Sequence, residues 1–167
     1  MVRMPLGLGF LALLLLVPGL PAQQLIVCVR HAEKADSSTD TALSPAGMAR
    51  AAALASALRD AEIDAIYVSP FRRTQQTAAP LATLRGVTPV VDPQTDADAL
   101  VKTIRMKHPS GHVLVVGHSD SVPEILKALG HAPSVPVKID DSEFDHMFVV
   151  VPAATGPPNV VHMHYGK

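Results

Sequence analysis

The chain is poor in cysteine, in aromatic residues and in surplus charge of either sign, and it has no long apolar run. One cysteine among 167 residues excludes an intramolecular disulfide framework. Cys28 lies in the apolar run Leu25 to Val29 and reads as a small core hydrophobe. Lys and Arg total 14 against 15 Asp and Glu, and such a balance excludes a general phosphate-backbone binder of nucleic acid. A membrane helix needs about 20 apolar residues, whereas Leu6 to Val17 supplies twelve, interrupted by Gly7 and Gly9. A short apolar stretch between Arg3 and the small residue Ala22 predicts an export signal over residues 1–22, cleaved near Gln23, and no stable membrane insertion afterwards. Residues 23–167 then form one domain, about 145 residues long, enough to bury roughly two thirds of its unfolded surface.

Beyond the signal, short β-type runs alternate with helical stretches. Leu25 to Val29 predicts a strand buried on both faces. Ser44 and Pro45 supply an N-cap and a first helical position for an Ala-rich helix to about Arg59. Ile63 to Val68 predicts a second strand, and Ser69-Pro70 repeats the cap signal for a helix to about Leu84. Val87 to Val91 reads as a third strand, Asp96 to Lys107 as a helix favoured by early carboxylates, and His112 to Val116 as the clearest strand. Val122, Ile125, Leu126 and Leu129 give the next helix its apolar stripe, closed by Gly130. Met147 to Val151 and Val160 to Tyr165 complete the set. This alternation predicts an α/β fold, a three-layer α/β/α sandwich around a mostly parallel sheet with an antiparallel edge. The polar loop Asp36 to Thr41 is long enough to move.

Three polar groups share one structural address. Arg30-His31 follows the first strand, Ser69 to Arg73 the second, and Gly117-His118-Ser119 the fourth. In an open parallel sheet these carboxyl ends line the ligand crevice, where helix N-termini point. Histidines and arginines converging there make an anion site suited to a phosphoryl group.

The segments Arg30-His31-Ala32-Glu33-Lys34, Ser69 to Ala78 and Val116-Gly117-His118-Ser119 resemble, in order and spacing, the signature of the histidine phosphatase superfamily, the phosphoglycerate mutase-like proteins. The resemblance extends to Leu43-Ser44-Pro45-Ala46-Gly47 and is greatest to small, cap-less members, with Ala32 replacing the commoner glycine. It implies a phosphoglycerate mutase-like fold and a small phosphorylated substrate. It makes His31 the nucleophile, giving a phosphohistidine that water hydrolyses. Arg30, Arg73 and His118 would hold the phosphoryl oxygens, Arg73 in preference to Arg72, which points about 100° away on the helix. Neither a metal nor an organic cofactor is called for. The implied activity is an exported phosphomonoesterase; a phosphohistidine protein phosphatase and a phosphate-binding protein without turnover are the alternatives.

The general acid is not set by the motifs. Superfamily members carry it either after the strand that follows the second-motif helix or directly after the second histidine. Ser119 fills the latter position, and no Glu lies between Arg73 and His118. Asp96 is the first candidate, with Asp98 and Asp120 behind it. Outside the motifs, His162 and His164 stand two apart on one strand face, and with His146 they could grip a metal. Polar residues on the solvent face of an edge strand explain them equally well. Asp140, Asp141, Glu143 and Asp145 read as a solvated turn, and Glu33 with Lys34 as a solvated ion pair.

The export signal predicts a mature N-terminus at Gln23 or within a residue or two of it. Mass spectrometry of the protein from a periplasmic or extracytoplasmic fraction checks this; intact Met1 chain found only in cytosol would refute it.

Overall fold

A computed structural model describes residues 24–133, 137–153 and 155–166; the expected export signal lies outside the described residues. The elements are β1 (Leu25–Arg30), α1 (Pro45–Ala57), β2 (Ala65–Val68), α2 (Arg72–Arg85), β3 (Val90–Val91), α3 (Ala97–Lys107), β4 (His112–Gly117), α4 (Ser121–Ala128), β5 (His146–Val151) and β6 (Asn159–His164). The strands form one sheet in the order β3-β2-β4-β1-β5-β6. Contacts among β1 to β4 are parallel, and β5 and β6 pair antiparallel. Among the described residues no helix is long and apolar enough to cross a membrane.

The period of two along each strand divides the core into two layers. Val27, Val29, Ile66, Val68, Leu114 and Val116 face Leu54 of α1 and Leu81 of α2. Ile26, Cys28, Tyr67, Val113 and Val115 face Leu100 and Ile104 of α3 and Ile125 of α4. Cys28 is fully buried, and burial pushes its thiol pKa up to about 12, which leaves it an inert core residue.

Local signals set most element ends. Ser44 Oγ accepts from Gly47 N, Asp96 Oδ1 accepts from Ala99 N, and Gly86 closes α2 with φ 65°. β5 and β6 each start one residue early, and three other starts differ from the sequence expectation by two residues or more. β2 starts at Ala65, two residues late: the turn ends at Glu62 with φ 51°, and Ile63 and Asp64 lie between it and the strand. β3 keeps only Val90 and Val91, since Pro89 has no N–H to give a ladder. α2 begins at Arg72 because the Ser69 hydroxyl is engaged by Thr74 and His118; Asp40 Oδ1 accepts from Arg72 N instead.

The loop after β1 is tied to both helices on its face. Ala32 N donates to Thr77 Oγ1 at 2.9 Å, Leu43 N to Gln76 Oε1 at 2.7 Å, and Ser44 N to Glu33 O at 2.9 Å. Gly47 sits against the Glu33 backbone so closely that a Cβ would overlap the Glu33 carbonyl oxygen. Gly47→Ala is therefore expected to destabilise the fold by about 1–3 kcal/mol, the usual cost of overpacking. A lower urea midpoint at unchanged m-value is the measurement that checks it.

Candidate active site

The carboxyl ends of β1, β2 and β4 open into one cavity of about 310 Å³ lined by Arg30, His31, Phe71, Arg73, His118, Ser119, Asp120 and Asp141, with Lys34 at its side. Of the sequence candidates, the fold thus brings Arg30, His31, Arg73, His118 and Asp120 together. Arg72 is exposed. Asp96 and Asp98 line a different depression, with Glu124 and Lys127, where Asp96 caps α3.

His31 is 4% exposed and its Nδ1 lies 2.8 Å from the Ala32 carbonyl oxygen. A carbonyl only accepts, so Nδ1 carries the proton and Nε2 keeps its lone pair. Burial pushes the His31 pKa down to about 3, with the positive surroundings of His118, Arg30 and Arg73 adding to it and the Ala32 hydrogen bond opposing it. The ring is consequently neutral at physiological pH and nucleophilic at one defined atom. The Ala32 methyl turns into a small cluster with Leu43 and Ala51, away from this work.

His118 stands edge-on to His31, with ring centroids 5.3 Å apart. Arg73 Nη2 donates to its Nδ1 at 3.4 Å, so Nε2 carries the proton and donates to Ser69 Oγ at 2.9 Å. Burial, then the Arg73 charge, lowers its pKa to about 4.

Arg73 is braced by the Thr39 carbonyl at 2.7 Å and by the Phe71 ring, 4.2 Å from its guanidinium carbon. The Asp36–Thr41 loop thus packs on the start of α2 through Thr39 and Asp40. Arg30, 3% exposed, donates from Nη1 to the carbonyls of Asp140 (2.7 Å) and Glu143 (2.9 Å), and from Nη2 to Asp141 Oδ1 (3.2 Å). Its guanidinium carbon lies 4.3 Å from the Phe144 ring centroid. The Nε atoms of Arg30 and Arg73 are both buried without an acceptor. Two neutral imidazoles and two guanidiniums with spare N–H donors suit an oxyanion that brings its own negative charge.

Sequence reasoning missed the part played by residues 140–144. The acidic run reads as a solvated turn, and the Asp141 side chain is indeed 93% exposed, yet its backbone carbonyls secure Arg30. Phe144, one apolar residue in a charged stretch, was the signal. Glu33 also departs from a solvated pair: it holds Arg50 at 2.7 Å, both side chains being partly buried.

Residues 26–96 match the sequence model of the histidine phosphatase superfamily (branch 1), a stretch that holds the first two motifs; the third, at His118, is joined to them by the fold. The uncharacterized protein Rv0525 of Mycobacterium tuberculosis (strain ATCC 25618 / H37Rv) is 47% identical over 51 residues, which span 30% of this chain and 25% of that protein. Among solved structures, the protein histidine phosphatase SixA in complex with tungstate superposes with TM-score 0.65 at 20% identity, covering 84% of this chain and 96% of that one. YhfR of Bacillus stearothermophilus gives 0.66 at 17% identity, covering 83% and 95%. The mycobacterial glucosyl-3-phosphoglycerate phosphatase Rv2419c gives 0.63 at 15%, covering 86% and 98%. At these identities the likeness establishes the phosphoglycerate mutase-like fold.

Both histidines of the cavity stay neutral in the folded chain at pH values where, unfolded with a pKa near 6.5, they would be charged. Unfolding then takes up protons, so stability is expected to fall as pH drops from about 6.5 towards about 4. Urea midpoints across that range check the sign. His31→Asn combined with His118→Asn should flatten the slope by up to about two protons.

Proposed function

We propose that this chain, which has the fold and the motif signature of the histidine phosphatase superfamily, is an exported phosphatase that hydrolyses phosphomonoesters of a small substrate through a phosphohistidine on His31. The observation that carries this reading is the neutral His31 ring with Nδ1 tied to Ala32 and its other nitrogen free, set among two guanidiniums and a second histidine.

His31 Nε2 attacks phosphorus; the N–P bond forms as the bond to the leaving oxygen breaks. Arg30 and Arg73 hold the phosphoryl oxygens, joined by His118 once its Nε2–H turns to them from Ser69 Oγ. The leaving alkoxide takes a proton from Asp120, which lines the same cavity and caps α4 through Ser121 N. Asp120 then accepts a proton from the water that attacks phosphorus, and inorganic phosphate leaves with His31 restored. No step calls on a metal. Sharing a cavity with His31 supports Asp120 over Asp96 and Asp98. Export rests on the character of residues 1–22.

The likeness in fold to SixA, described as a protein histidine phosphatase, supports a second reading in which phosphohistidine is the substrate. An imidazole leaving group needs less help than an alkoxide, so the two readings differ in their dependence on Asp120.

His31→Ala should abolish hydrolysis of an aryl phosphate, and wild-type protein quenched in turnover should carry alkali-stable, acid-labile phosphate. Full activity in that variant would falsify the mechanism. Asp120→Asn is expected to slow alkyl phosphates roughly 10²- to 10⁴-fold and aryl phosphates much less. Equal rates for the variant and its parent on alkyl phosphates would instead favour the phosphohistidine reading.

A further inference from the structure

At the far end of the sheet from β3, the β5–β6 hairpin brings three histidines together. His146 pairs across the ladder with His164, and His162 follows the same face two residues before it. One nitrogen from each ring lies within 4.8 Å of the others. His146 Nδ1 and His162 Nε2 are 2.7 Å apart, and ring centroids are separated by 4.7 Å (His146–His164), 4.9 Å (His146–His162) and 5.0 Å (His162–His164). His146 is largely buried, while His162 and His164 are exposed. The phosphatase chemistry uses none of them.

Carboxylates stand behind two of the rings. His146 Nε2 lies 3.2 Å from Glu143 Oε2, and His164 Nδ1 lies 3.2 Å from Asp145 Oδ2. A carboxylate beside one imidazole nitrogen keeps the proton on that nitrogen and leaves the opposite one as a lone-pair donor; this arrangement orients histidines that ligate metals. His164 Nε2 is preset in this way; at His146 the Glu143 carboxylate is close, but Nε2 makes no hydrogen bond to it. His146 Nδ1 and His162 Nε2 share one hydrogen bond, a contact that a metal ion would replace. The Phe148 ring stacks on His162 with centroids 4.4 Å apart and limits the motion of that ring.

We propose that His146, His162 and His164 form a binding site for a divalent transition metal of the zinc class. Three imidazoles suit zinc, copper, nickel and cobalt ions and not magnesium or calcium, which take oxygen ligands. With zinc–nitrogen bonds of about 2.0–2.1 Å, tetrahedral ligand nitrogens stand about 3.4 Å apart. The 2.7 Å His146–His162 pair reaches that separation by a small rotation of the exposed His162 ring. The fourth position faces solvent at an exposed strand. Glu143 links this site to the phosphate cavity, since its main-chain carbonyl accepts from Arg30.

Isothermal titration of the full chain, free of any oligohistidine tag, with Zn²⁺ is expected to show saturable binding of one ion per chain, and Co²⁺ should give the visible absorption of a four-coordinate site. His162→Ala with His164→Ala should abolish both signals; because both residues are exposed, an unchanged circular dichroism spectrum is expected to show the fold intact. Glu143→Gln should weaken binding about 10- to 100-fold, the usual effect of removing an outer carboxylate. His31→Ala should bind zinc as the parent does, which separates this site from the phosphatase reading. No saturable binding, equal binding by the double variant, or loss of binding in His31→Ala would each overturn the proposal.

Discussion

Burial of the Arg30 guanidinium is the constraint on which the working end of the molecule depends. An arginine at the end of a central strand, 3% exposed, has to be given acceptors, because a buried charge left without partners costs about 3–5 kcal/mol. The acceptors come from more than a hundred residues further along the chain, as the carbonyls of Asp140 and Glu143 and the carboxylate of Asp141. Satisfying Arg30 thus fixes residues 140–144, seats Phe144 against His31 with centroids 6.0 Å apart, and sets the path into β5. The same segment carries Glu143 to His146.

The cavity combines groups that disfavour one another. Burial keeps both histidine rings neutral, and the two arginines beside them add to that effect. The proposed reaction needs a neutral nitrogen nucleophile, and the two guanidiniums beside it would attract an anionic phosphoryl group. The buried Nε atoms of Arg30 and Arg73, without acceptors, fit a cavity completed by an oxyanion.

Much of the motif residues' work is structural. Thr77 receives the Ala32 N–H and returns a bond to the Arg73 carbonyl, Gln76 holds Leu43, Ser69 links Thr74 to His118, and Gly47 lets α1 approach the Glu33 backbone. These contacts hold His31 and Arg73 at fixed positions on two different elements. A motif built this way shows strong sequence likeness even where chemistry uses only a few of its atoms.

The order and type of the elements, the helix caps at Ser44 and Asp96, the two-sided burial of β1 and the gathering of Arg30, His31, Arg73 and His118 at the strand ends were legible in the sequence. Each follows from periodicity, from a cap acting over three or four residues, or from the rule that strands of a parallel sheet end on one side. Tertiary structure alone decided that Asp120 and not Asp96 shares the cavity with His31, that the acidic run closes on Arg30, and that His146 stands across a ladder from His164. Distance along the chain cannot rank Asp96 against Asp120, because both follow strands and their side chains are aimed by loop geometry. The Arg30–Asp140 contact depends on the path of a distant loop, and the pairing of residues 146 and 164 on strand register, which is set by the packing of whole faces; neither has a local signature.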